Sequence, residues 1–200
     1  MSVTHHCEIN VPPMPEIVSV NINDFSSESV YNLSQQIAAA HQQNQPVLPV
    51  YIYSYGGDAY GCMAMCDMLK HCPVPVATIL YGTAMSSAAL LFTCGRKNLR
   101  FMSPNGTMML HDVKSTFETL AMKTLLNEVA ESSRINEAYF DILDKNTEQP
   151  AGYFKNILDA QNANLYLTAE QCVRHKIASH IGVPQFHIHT RLERTFEVSL

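Results

Sequence analysis

The spacing of apolar positions changes period repeatedly along the chain, and each change marks a new element. Ile17-Val18-Ser19-Val20-Asn21 reads as a short strand. Glu28 to His41 carries Val30, Leu33, Ile37 and Ala40 at helical spacing, with Asp24 or Ser26 placed to cap it. Val47 to Ser54 is rich in β-branched and aromatic residues and reads as a strand. Ala59 to His71 reads as a helix whose Met63, Cys66 and Leu69 face a core, and Pro73 and Pro75 close it. The apolar run from Val74 predicts a buried strand over Val76–Leu80, and an apolar helix follows Ser86. Leu99–Met102 and Thr107–Leu110 read as two strands joined by Ser103-Pro104-Asn105-Gly106. From Phe117 to about Lys145 the chain has neither Gly nor Pro, and its apolar positions recur at helical spacing. That predicts a helix longer than a small domain needs, projecting to pack on another subunit. A short helix over Tyr153–Leu158, an extended piece at Leu165–Leu167 and a last helix capped by Thr168 complete the pattern. Strands and helices alternate, as in a layered α/β domain, with no tandem repeat and no internal boundary.

Composition narrows the function classes. The chain has 200 residues, 46% of them hydrophobic and 16% charged, with a formal net charge of -5. One domain with a sizeable core is expected. No Lys/Arg run is present, so nucleic-acid binding has no electrostatic support. The apolar runs are too short to span a bilayer, which argues against a membrane partner. No basic-then-apolar leader is visible in Met1–Pro15, and a cytoplasmic protein is expected. The six cysteines include no CxxC pair, and His187 and His189 lack a third ligand. Neither a metal nor another cofactor is expected, and the cysteines read as buried thiols. The low charged fraction points to surface buried in an oligomer.

Three stretches carry candidate chemistry. Gly82-Thr83-Ala84-Met85-Ser86-Ser87 lies between a strand and a helix. A serine there suits an acyl-transfer nucleophile, because helix N–H groups point outward beside its hydroxyl. It equally suits a helix N-cap, and the local sequence leaves both open. Ser54-Tyr55-Gly56-Gly57-Asp58 follows a strand; paired glycines there let a ligand approach the main chain, or simply make a turn. His111 follows the later strand Thr107–Leu110.

Together these stretches resemble the ClpP family, the proteolytic subunits of Clp ATP-dependent proteases. That family carries an S-P-G-G turn, a G-x-A-x-S nucleophile segment and a histidine after a P-N strand connection. Here the counterparts are Ser54-Tyr55-Gly56-Gly57, Gly82-Thr83-Ala84-Met85-Ser86 and Pro104-Asn105 followed by Met109-Leu110-His111. The likeness runs without a gap from Val47 to His111. It implies a ClpP/crotonase-like layered α/β fold of repeated β-β-α units with a projecting handle helix at about 117–145. It divides the chain into an N-terminal arm (1–16), one peptidase domain (17–185) and a C-terminal tail (186–200). It implies Ser86 as nucleophile, His111 as general base, and the N–H groups of Gly57 and Ser87 as the oxyanion hole. Stacked heptameric rings of one chain would hydrolyse unfolded proteins fed by an AAA+ unfoldase of the ClpX, ClpA or ClpC type. Tyr51 and Phe101 fall where the family docks its unfoldase, and His71 breaks the aromatic character of that surface.

Other departures bear on activity and assembly. The family's aspartate precedes an aromatic-Leu-[Ser/Thr]-Ala segment. Tyr166-Leu167-Thr168-Ala169 matches that segment, and Asn164 stands at the aspartate position. Asp159 is the nearest acidic alternative, at the cost of a five-residue shift. Tyr55 replaces the proline of the turn, and Asp112–Thr116 lacks the glycines found where the family's two rings meet. A second reading is therefore a weakly active or inactive subunit in a mixed ring with a ClpP paralogue. A third, from the shared fold, is a crotonase-like enzyme acting on acyl-CoA.

Overall fold

The computed structural model describes residues 16–114, 121–161 and 164–187. Among these residues, seven strands and six helices form a layered α/β arrangement around one sheet. The strands are β1 (Val20–Ile22), β2 (Leu48–Ser54), β3 (Val76–Met85), β4 (Arg100–Met102), β5 (Thr107–Leu110), β6 (Leu165–Leu167) and β7 (His180–Ile181). The helices are α1 (Ser27–Gln42), α2 (Ala59–Lys70), α3 (Ser87–Thr93), α4 (Met122–Asn146), α5 (Tyr153–Gln161) and α6 (Ala169–Arg174). The sheet runs β1-β2-β3-β4-β7, all parallel.

The sheet's branch point is β3. Its first half, Thr78–Leu80, pairs with β4, and its second half, Thr83–Met85, pairs with β5. This is why the strand runs five residues beyond the expected end at Leu80: a second partner keeps its backbone groups bonded as far as Met85. Between Ile52 and Ser54 the register to β3 shifts, and Gly82 sits in that irregularity at φ 74°. That positive φ favours glycine, and a Cβ there would also lie 2.6 Å from the Tyr53 ring.

Two boundaries differ from the sequence expectation for identifiable reasons. The first strand lies at Val20–Ile22, later than Ile17–Asn21. Val18 bonds instead to a side chain: its N–H donates to Gln45 Oε1 at 2.8 Å and its carbonyl accepts from Gln45 Nε2 at 2.9 Å. The long helix begins at Met122, with Ala121 extended before it; the expected start at Phe117 lies outside the described residues. Most of the expected N-terminal arm and C-terminal tail, with Cys7 and His189, also lie outside them.

The core centres on α3. All seven of its residues are buried, so it is enclosed around its whole circumference, with Ser87 and Thr93 as its polar ends. It packs on β2, β3 and β5 and against α2 and α4. Leu90, Leu91 and Phe92 meet Leu48, Ile52, Met65 and Leu80 in one cluster. Cys62, Cys66, Cys94 and Cys172 are buried free thiols, with the sulfurs of Cys62 and Cys66 4.0 Å apart across one helical turn. Among the described residues no helix is long and apolar enough to cross a membrane. No group of three or more His, Cys, Asp or Glu among them is arranged to hold a metal ion.

Candidate active site

β2, β3 and β5 lie side by side, with Ser54 across from Ala84 and Ala84 across from Met108. The three candidate stretches leave the C-terminal ends of these strands. That is where an α/β sheet places its ligand crevice. The Ser86 N–H donates to Met109 O at 2.8 Å, so the serine turn is tied to the strand that delivers His111.

Ser86 occupies the N-cap position of α3, yet its side chain makes no capping hydrogen bond. Its backbone lies at φ 55°, ψ -124°, a conformation that costs a non-glycine residue of order 1–3 kcal/mol. Gly56, at φ 96°, presses against this turn. A Cβ there would stand 2.7 Å from Met85 O and 2.8 Å from Ser86 Cβ. The first glycine of the pair is thus required by close approach of the backbone to the serine turn. Its N–H donates to Ser54 Oγ at 3.1 Å, and that hydroxyl donates to Asn23 O at 2.7 Å. Ser87 Oγ donates to Gly57 O at 3.0 Å, which links the two stretches expected to supply oxyanion donors.

Ser86, Ser87, Gly57 and His111 line one cavity of about 430 Å³. Cys62, Met63, Ile135 and Tyr139 add apolar wall, and Glu128 and Glu131 stand on the α4 side. Across this cavity Tyr60 on α2 donates to Glu131 on α4 at 2.9 Å, and Arg134 grips the same carboxylate with two nitrogens at 2.7 Å. That double contact holds the Glu131 carboxyl at about 2, below its ordinary value.

His111 is half-buried and also borders a second cavity, of about 290 Å³, with Leu158, Asp159 and Asn164. Burial lowers its pKa, which favours the neutral imidazole a general base must have. Its Nδ1 is buried and has no hydrogen-bond partner among the described residues. The β5–β6 ladder pairs Leu110 with Leu165 in antiparallel register. Continued by one residue, that register sets His111 across from Asn164, which is exposed. The two nearby carboxylates are engaged elsewhere. Asp159 pairs with Lys155 at 2.5 Å, and the same ammonium reaches Asp112 at 3.3 Å. Asp112 also accepts from Asn136 Nδ2 at 2.8 Å.

Tyr51 and Phe101 lie apart from this site. Tyr51 lines an open hollow of about 440 Å³ with Ile17, Pro49 and Phe186, and Phe101 stacks on His180 with ring centres 5.0 Å apart.

Three contacts at the site had no sequence signal. Tyr139 donates to Ser86 O at 3.0 Å, and Cys62 Sγ donates to Ser87 O at 3.2 Å. Asn136 Oδ1 accepts from Val113 N at 2.9 Å, two residues after His111. Tyr139 reads only as one of the apolar positions of the long helix, and Cys62 only as one of the buried thiols.

The fold is that of the Clp protease family. Residues 17–185 match the Clp protease family, and the chain belongs to that family. It is 24% identical over 158 residues to the ATP-dependent Clp protease proteolytic subunit of Deinococcus radiodurans, covering 78% of this chain and 74% of that one. The fold is that of ClpP1 from Listeria monocytogenes, solved as an asparagine-to-aspartate mutant. The TM-score is 0.74 at 19% identity, over 84% of this chain and 93% of that one.

Proposed function

We propose that the chain is a ClpP-like serine endopeptidase subunit that cleaves unfolded polypeptides. Ser86 Oγ attacks the scissile carbonyl. His111 takes the hydroxyl proton and returns it to the leaving amine. The N–H groups of Gly57 and Ser87 stabilise the oxyanion. Asn164 accepts from the imidazole and orients it, without supplying charge to the imidazolium. The observation that carries this reading is Ser86 itself: a strained serine whose hydroxyl caps nothing, in one cavity with His111, Gly57 and Ser87. Comparing Ser86→Ala with wild type on a fluorogenic peptide tests it, and equal activity would refute it.

The reading extends to assembly. Residues 17–185 act as one peptidase domain in stacked heptameric rings in the cytoplasm. The N-terminal half of α4 exposes Met122, Leu126 and Val129, an apolar stripe suited to the inter-ring contact. An AAA+ unfoldase feeds the chamber, with Tyr51 and Phe101 on its docking face. The neutral Asn164 favours a second reading, a weak subunit that works in a mixed ring with a ClpP paralogue. Expressing the chain alone separates the two: assembled particles with full activity refute the mixed ring.

A further inference from the structure

Tyr139 lies in the middle of α4 with only 5% of its surface exposed, and its ring packs edge-on against Phe140. A buried phenol requires an acceptor. Tyr139 takes the carbonyl of Ser86, at 3.0 Å. That oxygen already receives Ala89 N at 2.9 Å and Leu90 N at 3.3 Å as the first turn of α3 closes. The tyrosine is the third donor on it, and it arrives from a different element.

The consequence follows from peptide geometry. The carbonyl of Ser86 and the N–H of Ser87 belong to one planar unit, and in a trans peptide they point in opposite directions. Holding the oxygen therefore sets the direction of the N–H. The unit needs holding, because Ser86, which carries it, has a positive φ that glycine adopts readily and a serine does not. Cys62 and Ser87 Oγ brace the next carbonyl and the glycine loop, but neither touches this peptide.

We propose that Tyr139 is a positioning residue for the Ser87 amide: its hydroxyl, by holding the Ser86 carbonyl, aims the Ser87 N–H at the oxyanion. This rests on the reading of Ser86 as nucleophile and Ser87 N–H as an oxyanion donor. A tyrosine that served only the core would lower stability when changed and leave turnover per folded molecule intact. A positioning tyrosine lowers transition-state binding and leaves ground-state binding alone.

The test is Tyr139→Phe, which removes one oxygen and keeps the ring. Active sites are counted with a peptide phosphonate that labels serine, so any misfolded fraction drops out. Turnover per labelled site should fall about tenfold with KM unchanged, the effect of one hydrogen bond and less than the 10²–10³ of losing an oxyanion donor outright. Affinity for a peptide boronate, a tetrahedral mimic, should fall by the same factor, and affinity for a cleaved product peptide should not change. Wild-type turnover in Tyr139→Phe, or lower turnover with unchanged boronate affinity, overturns the inference. Wild type that takes no label at Ser86 overturns the underlying reading, and the inference with it.

Discussion

Leu110 and Leu165 are the last cross-strand partners of β5 and β6, and the residues that flank this pair, His111 and Asn164, line one cavity. Neighbours across an antiparallel pair have Cβ atoms about 4.5–5.5 Å apart, within reach of an imidazole and a carboxamide. A neutral partner can orient His111 but cannot stabilise its charged form. In a serine protease the Asp-to-Asn change costs about 10⁴ in kcat. Asn164→Asp should therefore raise peptide hydrolysis at neutral pH by about tenfold or more, below that ceiling of 10⁴. Asp159→Asn should leave the rate within about twofold, as expected for an exposed carboxylate whose ion pair contributes little. Steady-state rates of the two variants decide the assignment. A loss in Asp159→Asn with no gain in Asn164→Asp moves the role to Asp159.

The pH profile carries a related signature. Burial disfavours the imidazolium, so the pKa of His111 lies below its ordinary value, with Lys114 adding to the shift and Asp112 opposing it. A base works only when unprotonated, so kcat/KM falls as pH drops through that pKa. The acid limb should have its midpoint below the ordinary histidine value of about 6.5. In Asn164→Asp a carboxylate favours the imidazolium, the pKa rises, and the limb should move to higher pH. A limb at the same pH in both proteins would place residue 164 away from the imidazole. The linked stability term has a definite sign too. A depressed folded-state pKa gives stability that is full above the unfolded value and lost as pH falls through the folded one.

Gly56 tests whether the close approach of the two loops is required. An alanine Cβ would meet Met85 O at 2.7 Å and Ser86 Cβ at 2.8 Å, both in a half-buried turn whose backbone is hydrogen-bonded to β5. The backbone at φ 96° adds its own penalty. Gly56→Ala should cost about 1–3 kcal/mol of stability and displace Ser86. Activity should then fall further than the folded fraction does, which denaturant melts alongside phosphonate labelling will show.

Much of this was legible in the sequence because the local signals were strong. The apolar run of β3, the β-branched β2 and the Gly- and Pro-free stretch of α4 each state their element. The spacing from Gly57 to Ser86 to His111 was also readable, and the family match agrees with the resemblance drawn from it. What was hidden depends on tertiary pairing. The continuation of β3 to Met85 needs β5 as a partner, which no local window contains. The late start of β1 depends on Gln45, twenty-seven residues away. The hydroxyl of Tyr139 was invisible for the same reason: helical spacing marks a buried ring but does not say what its polar end meets.

The choice between cap and nucleophile at Ser86 can be decided by stability alone. Ser26 and Thr168 are working caps: Ser26 Oγ accepts from Ser29 N at 3.2 Å, and Thr168 forms a reciprocal capping box with Gln171. Removing either side chain should cost about 1 kcal/mol, or about 2–4 °C in Tm for a chain of this size. Ser86 Oγ makes no such bond, and alanine at the same positive φ carries the same backbone strain. Ser86→Ala should therefore leave Tm unchanged or slightly raised while abolishing hydrolysis. A serine kept in a strained turn without adding to stability has its justification in chemistry. A Tm loss in Ser86→Ala equal to that of Thr168→Ala would return the residue to the role of a helix cap.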